Sequence, residues 1–198
     1  GDRDYLEAAG LLRPHTDLRT NAELVQLYLT VLVQAQDFPG AETFLASGLG
    51  ADLLATPALL ELQAQVAEAA HKPVLAERFF GELRRREPEN LRYVMNHARA
   101  QAELGRVKEA EATIRPFLER ATPEILKLAA QVCVAAGNHR QAEVYQRRYL
   151  ETRPPELPQA WGFLGDVMLS RGDKVNARRA YQRGLDVMLL EIAGRKPK

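Results

Sequence analysis

The chain has 198 residues, of which 46% are hydrophobic and 27% are charged, proportions typical of a folded domain and not of an intrinsically disordered chain. The formal net charge is +1, so the sequence as a whole shows no electrostatic preference for nucleic acid or anionic lipid. Cys133 is the single cysteine, which excludes an internal disulfide and leaves the compartment open between a reducing cytosol and an oxidising periplasm.

The first predicted element lies at residues 4–14, with the sequence DYLEAAGLLRP. Its apolar spacing predicts a helix. We interpret it as the second helix of a truncated repeat.

A small residue then recurs along the chain at spacings of 35, 34, 32 and 35 residues. Each recurrence follows a turn-like segment such as QDFPGA or RGDKVNA. The five positions are Ala41, Ala76, Ala110, Ala142 and Ala177. Such a period predicts an array of similar structural units.

Two further positions keep the same register. The residues sixteen positions before these alanines are all apolar: Val25, Leu60, Val94, Leu126 and Trp161. The residues twelve positions before are mostly small: Leu29, Ala64, Ala98, Ala130 and Gly165. We therefore expect one superhelix over residues 1–198, with a partial repeat at 1–21, repeats at 22–56, 57–90, 91–122, 123–157 and 158–191, and a tail at 192–198.

Each unit is predicted to hold two antiparallel helices of about 13 residues, joined by a tight turn. Gly105, Gly137 and Gly172 lie at three of these turns, where glycine adopts a left-handed backbone conformation most readily. Pro88 and Pro154 lie near unit ends and are expected to stop second helices.

Helix starts and one close helix contact can also be predicted. Thr56 and Thr122 precede Pro57 and Pro123, a pattern typical of an N-cap followed by the first helical residue. Within the last unit, we expect Gly165 to face Ala177, since small side chains allow two helix backbones to approach closely.

These positions resemble the tetratricopeptide repeat, a unit of about 34 residues with W-x2-L-G, a mid-unit glycine, A-x3-F/Y and a terminal proline. The last unit carries most of that pattern, in Trp161, Leu164, Gly165, Gly172, Ala177 and Tyr181. Other units depart from it, with His71 at the usual glycine, His97 at a usual leucine and Gln146 at the usual aromatic. The resemblance implies an all-α, right-handed α-solenoid of about five helix-turn-helix repeats after the partial N-terminal one. Another two-helix solenoid is the alternative.

The sequence lacks the common catalytic patterns and therefore predicts no enzyme and no cofactor. No G-x4-G-K-[ST] or G-x-S-x-G sequence is present, and GLGADL at residues 48–53 lacks the third glycine of a dinucleotide fingerprint. The four histidines show no metal-ligand spacing. We expect Cys133 to be a buried apolar residue and His97 a partly buried one with a hydrogen-bonded ring. No apolar run approaches the roughly 18–20 residues of a membrane span.

The resemblance implies a concave groove lined by first helices. Its predicted partner-binding residues are Glu61, Gln65, Arg92, Asn96, Arg99, Lys127 and Gln131. Arg92, Arg99 and Lys127 would form a cationic centre, which favours a partner segment with Asp, Glu or a free C-terminal carboxylate. The predicted function is a non-catalytic scaffold that binds a protein segment in this groove.

Two other functions stay open at this stage. A cell-envelope or exopolysaccharide-export assembly subunit would organise neighbours through its edges and convex surface. An RNA-binding helical repeat would need a basic concave face with a regular pair of base-reading residues in each unit, and the sequence shows neither. Runs such as LRRRE at residues 83–87 contain acids that are expected to pair with the arginines.

Overall fold

A computed structural model describes residues 2–13, 20–152 and 157–194. Within these ranges the chain forms twelve α-helices and no strand. The all-α helical-repeat fold is confirmed. The chain divides into two compact units, Gly1–Ala100 and Gln101–Lys198, which are described in turn. The single superhelix and its repeat boundaries stay a prediction.

The first helix of every predicted repeat begins at the residue where the sequence pattern places the start of the unit. All five are 13 residues long. They are α2 (Ala22–Gln34), α5 (Pro57–Ala69), α7 (Leu91–Glu103), α9 (Pro123–Ala135) and α11 (Pro158–Ser170).

The second helices vary more in length, from 8 to 19 residues. They are α3 (Phe38–Leu45), α6 (Pro73–Arg86), α8 (Val107–Ile114), α10 (His139–Thr152) and α12 (Lys174–Ile192). Pro116 shortens α8, because its ring cannot continue an α-helix, and the chain turns into a 3-10 helix at Arg115–Phe117. Two more helices complete the chain: α1 (Asp2–Leu12), in the predicted N-terminal segment, and the short α4 (Ala51–Leu54), which the pattern did not predict.

The turns inside the repeats share one backbone conformation. Gly105, Gly137 and Gly172 have φ values of +73°, +72° and +79°, as predicted. Gln36 and His71 hold the equivalent positions in the first two repeats with φ values of +55° and +53°. The first two turns therefore adopt the same left-handed conformation without glycine, and the backbones of Gln36 and His71 are strained as a result.

The predicted helix starts are confirmed. Thr56 and Thr122 lie at the N-cap positions of α5 and α9. The Thr122 hydroxyl accepts a hydrogen bond from the Ile125 amide at 3.4 Å, whereas the Thr56 side chain makes no capping bond. Pro88 follows the end of α6, and Pro154 lies outside the described residues.

In the first unit, α1 packs on α2, α2 packs on α3 and α5, and α5 packs on α6. Tyr28 and Phe44 meet edge to face with their ring centroids 4.7 Å apart. A second cluster joins Leu60 of α5, Phe80 of α6 and Tyr93 of α7. The apolar positions that define the repeat pattern therefore form this core.

In the second unit, successive helices from α8 to α12 pack on one another in chain order. Ala177 is buried with Leu164 and Met168. The predicted facing of Gly165 and Ala177 stays a prediction, and the nearest neighbour of Gly165 is the Tyr181 ring, which a Cβ at position 165 would meet at 2.5 Å. The glycine therefore makes room for the aromatic ring of Tyr181.

Candidate functional site

Three side chains at one end of α5 and α7 form a polar cluster in the first unit. Arg92 Nη2 donates to Glu61 Oε1 at 2.5 Å, and the Tyr93 hydroxyl donates to the same oxygen. Burial, together with this bond, raises the pKa of Tyr93. The sequence places Arg92 in a cationic centre, but in the structure Glu61 offsets its charge.

The remaining predicted residues of the first unit are more accessible. Gln65 and Arg99 are exposed, and Asn96 is half-buried. Arg99 Nη1 lies 3.5 Å from Asn96 Oδ1, at the outer limit of a hydrogen bond. Arg99 is thus an exposed cation on α7, in contrast to the paired Arg92.

His97 lies between α6 and α7 with 8% of its surface exposed. Its Nδ1 is 3.2 Å from Arg84 Nη1, and its Nε2 is 3.2 Å from Glu77 Oε1. Because a guanidinium can donate only, Nδ1 accepts, and the proton sits on Nε2 and is donated to Glu77. Burial lowers the pKa of His97. The low exposure and the two ring contacts confirm the expected partly buried histidine with a hydrogen-bonded ring.

The second unit contains a pocket of about 270 Å³ between α9, α10 and the start of α11. It contains two of the predicted groove residues, Lys127 and Gln131, both exposed. Its other lining residues are Gln146, Tyr149, Leu157, Gln159, Ala160 and Phe163. The structure therefore brings a lysine and three glutamine amides together with an apolar wall. The grouping of Lys127 with Arg92 and Arg99 stays a prediction.

The sequence analysis missed part of this wall. Gln146 replaces the aromatic residue of the repeat pattern, is 2% exposed, and donates to the Ala160 carbonyl at 2.8 Å. Leu157 immediately precedes α11 and is exposed. The sequence showed that Gln146 replaces the usual aromatic residue of the repeat. It could not show the hydrogen bond to Ala160, because that bond depends on how α11 packs on α10.

Cys133, the single cysteine, lies in a core cluster of the second unit. Cys133 is 4% exposed, and burial, with a smaller effect of Glu111, raises the pKa of its thiol to about 11. A thiol with that pKa is a poor nucleophile at neutral pH. In the described ranges, no three His, Cys, Asp or Glu side chains are placed to hold a metal ion. None of the described helices has the length and apolarity to cross a membrane.

Comparison with known proteins agrees with this fold. A tetratricopeptide-repeat family model matches residues 91–116, which hold α7, α8 and the start of the 3-10 helix. No curated protein matches the sequence.

Crystal structures of repeat proteins match across most of the chain. That of BtubC (BKLC) from P. vanneervenii has a TM-score of 0.68 at 18% identity, covering 100% of this chain and 91% of the other. One of MamA has a TM-score of 0.64 at 14% identity, covering 82% and 95%, and a second has 0.62 at 11%, covering 97% and 94%. Both are helical-repeat proteins of the same type. The family match thus shows one tetratricopeptide-type repeat at residues 91–116, and the structural matches show a helical-repeat fold across most of the chain.

Proposed function

We propose that the chain is a non-catalytic scaffold that binds a segment of a partner protein on the face formed by its first helices. Tetratricopeptide-type repeats and the structural neighbours support a protein-interaction role. Stacked helical units present extended surfaces suited to such segments. The pocket beside Lys127 is the observation that carries the finer proposal.

The pocket fits one apolar side chain of a partner. Its volume of about 270 Å³ lies below the roughly 300–1,000 Å³ of small-molecule sites. Tyr149, Leu157 and Phe163 supply apolar surface, and covering that surface with a leucine or phenylalanine would be favourable. The bound segment therefore carries a large apolar residue.

The polar lining favours a carboxylate next to that apolar residue. Lys127 lines the pocket and is exposed, so its ammonium group can reach an acidic group on the bound segment. Charge-assisted hydrogen bonds are stronger than neutral ones. Gln131 and Gln159, also in the lining, can bond the backbone of an extended segment.

The first unit contributes less cationic character than its sequence indicates. A partner carboxylate at Arg92 has to displace Glu61, which already accepts from that guanidinium at 2.5 Å. Arg99 has no such carboxylate among its hydrogen-bond partners on the described residues. We therefore expect Arg99 to contribute more to an acidic partner's affinity than Arg92.

The proposal is tested by selecting peptides from a random-sequence display library on the immobilised chain. We expect the selected peptides to share an acidic residue near a large apolar one. Calorimetric titration should then show that Lys127→Ala and Phe163→Ala each weaken the binding of a selected peptide about tenfold or more.

Arg148 of α10 provides the matched control, as an exposed cation outside the pocket lining. Arg148→Ala should leave the affinity unchanged. Selected peptides without acidic residues, or affinity lost in Arg148→Ala but kept in Lys127→Ala, would contradict the proposal.

A further inference from the structure

The last helix, α12, has a row of exposed apolar side chains along one side. We name this row the end stripe; its members are Tyr181, Leu185, Met188, Leu189 and Ile192, which are 37%, 47%, 44%, 54% and 77% exposed. At about 100° per residue, these positions fall within an arc of about 100°. Single exposed apolar residues are ordinary, but a continuous row marks an interaction surface.

Apart from Tyr181, which also contacts α11, the end stripe is separate from the face that holds α12 in its repeat. That other face is buried and consists of Ala177, Ala180, Gly184 and Val187. Gly184 lies so close to α11 that a Cβ there would be 3.0 Å from the Pro158 carbonyl oxygen. Packing within the repeat therefore uses this buried face together with the Tyr181 ring, which lies against Gly165 of α11. The rest of the end stripe stays exposed: Leu185, Met188, Leu189 and Ile192.

In the preceding repeat, the equivalent face is covered. Gln146 and Leu150 of α10 lie 35 residues before Tyr181 and Leu185. Gln146 bonds the Ala160 carbonyl of α11, and Leu150 packs against the cluster around Leu164. The end stripe thus continues the surface by which α10 contacts α11, with no described element over it.

The spacing of the end stripe indicates which partner fits. Tyr181, Leu185, Met188 and Ile192 follow one another at intervals of four, three and four residues, which is the spacing of a coiled-coil seam. That order reads the same from either end. A second copy of the helix in antiparallel orientation would therefore place Tyr181 against Ile192 and Leu185 against Met188, as a two-fold interface requires.

The length of α12 is consistent with such a seam. It has 19 residues, whereas the longest of the other second helices have 14. The additional turns carry Met188, Leu189 and Ile192. We propose that the end stripe is a self-association surface, at which α12 pairs antiparallel with α12 of a second copy of the chain.

Sedimentation velocity over a wide concentration series tests the association. The wild-type chain should form dimers, and Leu185→Glu should weaken dimerisation at least tenfold by placing a charge in the seam. Val175→Glu is the control, because Val175 is 67% exposed on the same helix but outside the end stripe. It should dimerise like the wild type, and circular dichroism should show all three chains equally helical.

Three outcomes of this series would overturn the proposal. They are a wild-type chain that stays monomeric at every concentration, a Leu185→Glu chain that dimerises normally, and equal losses in the two variants. A monomeric wild type would assign the end stripe to a different protein or a further repeat.

Single-cysteine variants test the orientation, in a Cys133→Ala background. Positions 181 and 192 are eleven residues apart, or about 16 Å along a helix, and a disulfide requires Cα atoms within about 7 Å. Under mild oxidation, Tyr181→Cys mixed with Ile192→Cys should give a disulfide-linked heterodimer, whereas each variant alone should not cross-link. Cross-linking of each variant alone, without the mixed product, would overturn the antiparallel pairing.

Discussion

The ring of Tyr181 covers Gly165 so closely that a Cβ at position 165 would lie 2.5 Å from its nearest ring carbon. The Tyr181 hydroxyl donates to Asp166 Oδ1 at 2.7 Å, which holds the ring in place and raises the pKa of the phenol. Two positions of the repeat pattern are thus physically coupled. The small residue on the first helix, Gly165, leaves the space in which the aromatic ring of Tyr181 on the second helix packs.

Gly165→Ala should destabilise the fold because the added methyl group must push the Tyr181 ring away. An alanine in a helix otherwise gains about 1 kcal/mol over glycine, and overpacking typically costs about 1–3 kcal/mol. Gly162 on the same helix has open space around its Cβ position, so Gly162→Ala should stabilise. Urea denaturation should place the two variants about 2 kcal/mol apart.

The same coupling can be measured by a double-mutant cycle. In a Tyr181→Ala background, Gly165→Ala should become stabilising, since no ring remains to clash. If Gly165→Ala is as destabilising in that background as in the wild type, the contact with Tyr181 is not the reason for the glycine.

The two strained turns offer a stabilising change. Gln36 and His71 hold left-handed φ values of +55° and +53°, where a side chain costs roughly 1–3 kcal/mol. Glycine relieves this strain but loses about 0.5–1 kcal/mol through the greater freedom of its unfolded chain. Each substitution to glycine should therefore raise the free energy of unfolding by about 1 kcal/mol in thermal or chemical melts. A loss of stability would show that these side chains make contacts that outweigh their backbone strain.

His97 should make the stability of the fold sensitive to acid. Burial lowers the pKa of its ring in the folded state, so the unfolded chain binds the proton more readily. The folded state therefore loses stability as the pH falls from the usual histidine pKa of about 6.5 to the lower folded value. At higher pH both states are neutral, and the effect vanishes.

Chemical denaturation at pH 7.5 and 5 measures this effect. His97→Leu restores the residue usual at this repeat position, so the variant should lose less stability between the two pH values than the wild type. The other histidines are common to both chains and cancel in the comparison. Equal losses would mean that His97 does not titrate in this range.

The sequence predicted the first helices well for a physical reason. Pro57, Pro123 and Pro158 fix the first turn of three of them, and the buried apolar positions recur at a near-constant period. The second helices were less predictable. Pro116 interrupts α8, and α12 is longer than the other second helices, so the lengths of these helices depend on local residues and not on the repeat period.

The candidate site was less predictable than the fold. Lys127 and Gln131 were placed correctly on one first helix, because residue spacing alone fixes a helix face. The pairing of Arg92 with Glu61 depends on two rotamers from different helices, and the apolar wall at Leu157 depends on how α11 begins. Periodicity indicates which face of a helix a residue occupies, whereas contacts between long side chains depend on how the helices pack in the folded structure.

The proposed binding mode depends on a contact between Lys127 and a carboxylate of the bound partner segment. Calorimetric titration measures this contact as a coupling free energy. The wild-type chain and Lys127→Ala are each titrated with two peptides: a selected acidic peptide, and the same peptide with an amide in place of the carboxylate. We predict that removing the carboxylate weakens binding to the wild type about tenfold or more and hardly affects binding to Lys127→Ala. Equal effects on both chains would contradict this contact, because the carboxylate would then be bound elsewhere.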